Sequence, residues 1–262
     1  MTEMSKVNKK IIITVSALLA AAAGTGLFFG VSLLKTYYYR KMPLTLPDGF
    51  TVTAHTGCMN TAENSLESVK VGAQCGADIV EFDLYFTKDL TPVLAHDEPV
   101  GGEITLAEAL AYLSTFENIR ANIDIKRTDA LDKVSGLVTE YGLSDRVFFT
   151  GVNEDFVDTV RADAPGIEYY LNLNVDKKKS HNSEYIDSLI EKTVNAGAVG
   201  INLNQNGVTE ELVKAFHGAG LLVSVWTVDR EQNMHKILEL SPDNITTREP
   251  ELLRKIIEER KS

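Results

Sequence analysis

From Phe50 onward, short runs of apolar and β-branched residues alternate with stretches whose apolar positions recur every three or four residues. The short runs predict strands over Phe50–His55, Ile79–Tyr85, Val93–His96, Asn122–Lys126, Arg146–Thr150, Tyr169–Asn174, Val199–Asn204, Leu221–Val228 and Asn244–Thr247. The longer period predicts helices near Ser65–Gln74, Leu106–Leu113, Ala130–Tyr141, Asp155–Asp163, Glu184–Ala196, Glu210–Ala219, Glu231–Leu240 and Glu251–Arg260. Pro250 suits the first turn of the last helix. Such alternation is the signature of an α/β barrel or a doubly wound sheet. Nine strand runs are one more than a closed eight-stranded barrel needs. Only Thr87–Pro92 separates Tyr85 from Val93, too short for a parallel crossover, so that pair must form a hairpin. The hairpin folds His96 back beside Asp83 and leaves eight parallel strands, an α/β (β/α)8 TIM barrel.

A second pattern precedes the barrel. Residues 11–34 carry no charge and are mostly apolar or small. At a helical rise of ~1.5 Å per residue this run exceeds a ~30 Å hydrocarbon core. A cleavable signal peptide is the rival reading, with Ala21–Ala23 resembling a cleavage site, but the run continues through Leu27-Phe28-Phe29 to Leu34, longer than a signal core needs. The expectation is therefore a short tail over residues 1–10, a transmembrane helix over 11–34, a linker over 35–49 and the barrel over 50–262. Lys6, Lys9 and Lys10 before the span balance Lys35, Arg40 and Lys41 after it, so charge alone does not orient it. Tyr37–Tyr39 suit an interfacial aromatic belt. A short tail leading a signal anchor puts the globular domain outside the cytoplasm, in a single-pass membrane protein.

Charge narrows the partners. The chain carries −11 in all. Residues 1–49 hold six Lys/Arg against two Asp/Glu, or +4, which leaves −15 for residues 50–262. Such a surface disfavours polyanions, so nucleic acid is not an expected partner. Cys58 and Cys75 read as small packed thiols, with a disulfide between them an open alternative, and no zinc-type cysteine spacing exists. No feature speaks to self-association.

The candidate chemistry is concentrated between His55 and Asp97. Glu81 and Asp83 stand two apart in a strand run, so both side chains point to one face. Two inward carboxylates repel each other and lose hydration unless a cation or basic partner joins them. With His55 and His96 on either side in sequence, the combination suits hard-metal phosphate chemistry. Barrel active sites lie at the C-terminal ends of strands. There the prediction also places Asp124, Lys126 and Trp226. Alone, each has an ordinary reading: an Asp124–Lys126 ion pair, a core tryptophan, a packed histidine. Their joint placement is what those readings explain poorly. His181 follows Lys177–Lys179 in a polar loop, His217 and His235 fall on helices, and Asn202, Asn204 and Asn206 near a strand end suit turn capping better than headgroup binding.

The chain resembles the glycerophosphodiester phosphodiesterase family, whose barrels are related to phosphatidylinositol-specific phospholipases C. The resemblance rests on Ala54-His55-Thr56-Gly57, Ala62-Glu63-Asn64-Ser65, Gly76-Ala77-Asp78 with Glu81-Phe82-Asp83, Thr87-Lys88-Asp89-Leu90 and His96-Asp97. It continues through Asn122-Ile123-Asp124-Ile125-Lys126, Val225-Trp226-Thr227-Val228-Asp229 and Ile245–Pro250. The matches run in the family's order from Thr53 to Leu252. Three departures stand out. Thr56 occupies the place of a phosphate-binding arginine, Asp124 that of a glutamate ligand, and the short link Asp97–Ala121 replaces an inserted subdomain.

The resemblance implies a metal-dependent phosphodiesterase acting on glycerophosphodiesters or related lipid-derived diesters. Glu81, Asp83 and Asp124 would hold one Mg²⁺ or Ca²⁺, with Glu63 as a fourth ligand or bonded to the first three. Lys126, Trp226 and the residue at Thr56 would meet the substrate. His55 and His96 would share general acid and base duty, each role contributing ~10²–10⁴-fold. The alternative is a catalytically silent barrel retained for binding or scaffolding.

Overall fold

The computed structural model describes residues 44–261. The predicted tail and transmembrane segment lie outside the described residues, as does the linker up to residue 43. Among the described residues no helix is long and apolar enough to cross a membrane.

Among the described residues, nine strands and eight α-helices follow one another as the hydrophobic pattern predicts. The strands are β1 (Thr51–Ala54), β2 (Ile79–Phe86), β3 (Pro92–Leu94), β4 (Arg120–Ile125), β5 (Val147–Val152), β6 (Glu168–Asn172), β7 (Gly200–Asn204), β8 (Leu222–Trp226) and β9 (Asn244–Thr247). The helices are α1 (Leu66–Gln74), α2 (Leu106–Leu113), α3 (Leu131–Glu140), α4 (Val157–Asp163), α5 (Ser183–Asn195), α6 (Glu210–Gly218), α7 (Glu231–Leu238) and α8 (Pro250–Lys261). Sequence boundaries differ from these by a few residues at most, where turns fray. The helix starts have chemical causes. At α2 the Thr105 side chain accepts from Glu108 N–H while the Glu108 carboxylate accepts from Thr105 N–H, a reciprocal capping box. Ser65, Asn182 and Thr209 each cap a helix in the single-sided way.

The sheet runs β1-β9-β8-β7-β6-β5-β4-β2 and closes by a β1–β2 pairing, making eight parallel strands. β3 pairs antiparallel to β2 as the expected hairpin, with Leu84 opposite Leu94. Leu90 holds its turn at φ 61°, a left-handed conformation that costs a leucine more than a glycine. The apolar residues lie mainly between strands and helices, in two large clusters centred on Phe82 and Phe149 and on Phe216 and Val223. The opposite faces of the same strands are largely polar. Thr53, Glu81, Asp83, Asn122, Thr150, Asn202, Ser224, Asn244 and Thr246 are all buried. Ile79, Phe148 and Tyr170 form a small separate cluster. A polar barrel interior is costly unless its groups bond to one another or to a ligand. That is the arrangement that positions the site.

Candidate functional site

β1 delivers His55, whose backbone N–H donates to Thr247 O on β9 at 2.9 Å. The chain then turns at Gly57, φ 76°, into a short 3-10 turn over Cys58–Asn60. A Cβ on Gly57 would lie 2.8 Å from Glu63 Cγ, so glycine lets the next segment pass close by. His55 Nδ1 lies 2.7 Å from Thr56 O. A carbonyl only accepts, so that nitrogen carries the proton, and in the neutral ring Nε2 keeps its lone pair. Nδ1 is also 3.8 Å from Glu81 Oε2.

The carboxylates meet as the strand period requires. β2 and β4 run in register with Asp83 opposite Asp124 and Glu81 opposite Asn122. Oxygen atoms of Glu81, Asp83 and Asp124 lie within 4.8 Å of one another. Thr56 N–H donates to Glu81 Oε2 at 2.8 Å, Asn64 Nδ2 to Asp83 Oδ2 at 2.8 Å, and Thr150 Oγ1 to Asp124 Oδ1 at 2.6 Å. Lys126 Nζ sits 2.9 Å from Asp83 Oδ1 and 2.5 Å from Asp124 Oδ2. Burial opposes the lysine's charge, yet Asp124 and Asp83 outweigh it and hold the amine above the usual lysine range. Glu81 lies in the cluster without that amine. Burial first, then Asp83 and Asp124, push its carboxyl up to about 7 against the counter-pull of His55. Oxygen donors with negative charge in excess fit a hard divalent cation, which would be held by Glu81, Asp83 and Asp124.

His96 arrives by the hairpin, with Ala95 N–H donating to Asp83 O at 3.1 Å. Its ring is exposed and Nδ1 lies 3.2 Å from Asp97 Oδ1. His55, His96, the three acidic residues, Lys126, Trp226, Glu63 and Arg248 line one cavity of about 580 Å³.

Three expectations differ from the geometry. Thr56 is buried and is not among the cavity-lining residues. Its hydroxyl accepts from Asn64 N–H at 2.6 Å and donates to Asn64 Oδ1 at 3.3 Å, so what it offers the site is the backbone N–H on Glu81. Glu63 stands apart from the three-carboxylate cluster, its Oε1 taking Arg248 Nη2 at 2.8 Å. The guanidinium is the stronger partner within its reach. Asn202 also differs from the turn-capping reading, being buried in the barrel wall. Arg248, Asn64 and Thr150 join the site without a role that the sequence pattern assigns: Asn64 stands inside the Glu63–Ser65 match and Arg248 inside Ile245–Pro250, while Thr150 carries no local signal. Arg248 is held by Asp229 Oδ2 at 3.2 Å and by Glu63, while its carbonyl accepts from Met59 N–H at 2.9 Å. Cys58 and Cys75 are buried free thiols in one small cluster with Ala54 and Ala77. His181 pairs with Glu211 and His217 with Asp243, and neither lines the cavity.

The sequence matches the model of the glycerophosphoryl diester phosphodiesterase family over residues 54–122 and 112–252. A glycerophosphodiester phosphodiesterase of Caldanaerobacter subterraneus subsp. tengcongensis is 26% identical over 232 residues, covering 77% of this chain and 95% of the relative. One from Bacillus altitudinis is 24% identical, covering 80% and 99%. Among solved structures, an Oleispira antarctica phosphodiesterase in complex with the product sn-glycerol-3-phosphate superposes with a TM-score of 0.64 at 19% identity, covering 81% of this chain and 97% of its own. The glycerophosphodiester phosphodiesterase of Thermotoga maritima gives 0.58 at 22% identity, covering 79% and 98%. At these identities the structural likenesses establish the barrel.

Proposed function

The chain belongs to the glycerophosphoryl diester phosphodiesterase family, a family of phosphoric diester hydrolases, and from that premise we propose that it cleaves glycerophosphodiesters or related lipid-derived diesters at the mouth of the barrel. The observation that carries the reading is the joint lining of one cavity by two histidines, a lysine and three clustered carboxylates. When bound there, a divalent cation supplies Lewis-acid neutralisation of charge on the phosphoryl oxygens. The protein's own groups do the proton work. His55, with Nδ1–H committed to Thr56 O, accepts through Nε2 the proton of the attacking water or neighbouring glycerol hydroxyl. As the new P–O bond forms and the ester P–O bond breaks, His96 gives its proton to the departing alkoxide. Arg248 supplies guanidinium charge at the cavity wall, where its planar fork suits a phosphate and Thr56 has none to offer. Residues 11–34 would tether the barrel to a membrane with its mouth outside the cytoplasm, within reach of lipid-derived substrates.

One observation favours the silent barrel: Lys126 already lies between Asp83 and Asp124, where a cation would act. The test is hydrolysis of a glycerophosphodiester panel by the full chain in detergent, with Mg²⁺, Ca²⁺ or chelator, against His55→Ala. The expected result is metal-dependent turnover that falls by ~10²–10⁴-fold in the variant. No turnover with any metal, from folded protein, would select the silent barrel.

A further inference from the structure

The turn after His55 is strained, and it is fastened to α1. Gly57, Met59 and Asn60 stand at φ 76°, 53° and 62°, and Met59 and Asn60 bear the steric cost of a left-handed backbone without being glycine. Gly57 N–H donates to Ser68 Oγ at 2.8 Å, and Cys58 Sγ lies 3.9 Å from Ser68 O. The same turn sets the site, since Thr56 N–H bonds to Glu81 and Cys58 N–H donates to His55 O at 3.0 Å. One helical turn further along α1, Cys75 Sγ donates to Gly72 O at 3.2 Å. Ser68 and Gly72 stand four apart and so on one face of the helix, which brings both sulfurs to that face. Cys58 and Cys75 pack in one buried cluster with Ala54 and Ala77. They are the only two cysteines in the chain.

The two thiols bond to each other, and that bond divides their acidities. The bond to Cys75, with burial, pushes the Cys58 thiol up, and the bond from Cys58 holds Cys75 below the usual thiol range. Cys58 keeps the proton and Cys75 ionises first, the division found in thiol pairs that exchange disulfides. Cys75 is also the sulfur that is easier to reach. It directly follows α1, between exposed Gln74 and exposed Gly76, at a helix end where fraying opens the backbone. We propose that Cys58 and Cys75 are a disulfide-forming pair whose oxidation clamps the His55 turn to α1. The co-reactant is an external disulfide. The Cys75 thiolate attacks one of its sulfurs and expels a thiolate, leaving a mixed disulfide. Cys58 then loses its proton to solvent, attacks Cys75 Sγ and expels the second thiolate. The protein gives up two electrons and two protons, and the external disulfide ends as two thiols. The new bond closes a loop that holds both the strained turn and all of α1, so it removes the freedom through which the turn would open.

The test uses the full chain in detergent, equilibrated with reduced or oxidised glutathione before and after a cycle of urea unfolding, which removes access as an obstacle. Remaining thiols are alkylated in denaturant and counted by mass. The expected oxidised product is a monomer two hydrogens lighter, carrying neither alkyl group nor glutathione. Its unfolding constant in urea should be lower by on the order of a hundredfold, the effect of closing a loop of this length. Hydrogen exchange at the Thr56 and Gly57 amides should slow by about tenfold or more relative to the reduced chain. Cys75→Ser should exchange at the reduced rate in either buffer. Two alkylated thiols, or glutathione retained on either cysteine, after refolding in excess oxidised glutathione would overturn the proposal and leave a packed thiol pair. A disulfide that forms yet leaves exchange at Thr56 and Gly57 unchanged would overturn the clamp.

Discussion

Replacing Glu81 by glutamine should stabilise the metal-free protein at alkaline pH and barely affect it in acid. Glu81 is 5% exposed, and its carboxyl is pushed up to about 7 from an ordinary 4.5, by burial first and then by Asp83 and Asp124. A group whose folded-state value is raised holds its proton in the native state after the unfolded chain has lost it. Between about 4.5 and 7 the native state therefore binds more protons, and stability falls as pH rises. Above 7 the loss is complete. At about 1.4 kcal/mol per unit it amounts to roughly 3 kcal/mol, an order-of-magnitude figure for so crowded a group. Glutamine mimics the protonated acid, and its oxygen can still accept from Thr56 N–H. In chelator at pH 8 the variant should gain about 2–3 kcal/mol, and at pH 5 the two proteins should nearly coincide. Saturating Mg²⁺ should reverse the order, because the variant loses an anionic ligand. Urea denaturation at both pH values, with and without Mg²⁺, reads all of this. A variant less stable than wild type at pH 8 in chelator, or a difference independent of pH, would refute the reasoning.

Two further perturbations address neighbouring features. Lys126→Met removes the amine shared by Asp83 and Asp124, and in chelator should cost about 2–4 kcal/mol by leaving two poorly exposed carboxylates without a cation. Mg²⁺ should raise its melting temperature more than that of wild type; an equal rise would mean that the lysine and the metal do not share a site. Gly151→Ala should destabilise by more than about 2 kcal/mol, since φ is 73° and the added Cβ would stand 2.4 Å from Ile125 O. Denaturation with a change under about 0.5 kcal/mol would show that β5 can shift away at no cost.

What could be read from the sequence depended on whether the cause was local. The two-residue spacing of Glu81 and Asp83 put both on one face without knowledge of the partner strand. The short Thr87–Pro92 link forced the hairpin and so brought His96 back to Asp83. Relationships across the barrel were hidden. Arg248 and Glu63 are 185 residues apart, and nothing near either one announces the other. Asn202 looks like a turn residue in sequence because its partner, Asn172, lies on β6, 30 residues away. Thr56 could be compared with an arginine by position, but its burial against Asn64 follows from the left-handed turn at Gly57 and Asn64's own φ of 54°. Lys126 was expected to face the substrate. That it neutralises Asp83 as well as Asp124 depends on β2–β4 register, which pattern alone does not supply.

The pairing of β1 with β9 also fixes when the site can come into being. Thr51 bonds to Asp243 across 192 residues, and His55 is seated on Thr247. During synthesis β1 emerges first among the strands and its partner last, a wait of roughly 10–40 s at about 5–20 residues per second. Until then β1 has one of its two flanking strands, β2, and His55 has no seat. A nascent or C-terminally truncated chain therefore carries the candidate site residues without the strand that seats His55. The last strand to arrive acts as a completeness check on the whole polypeptide.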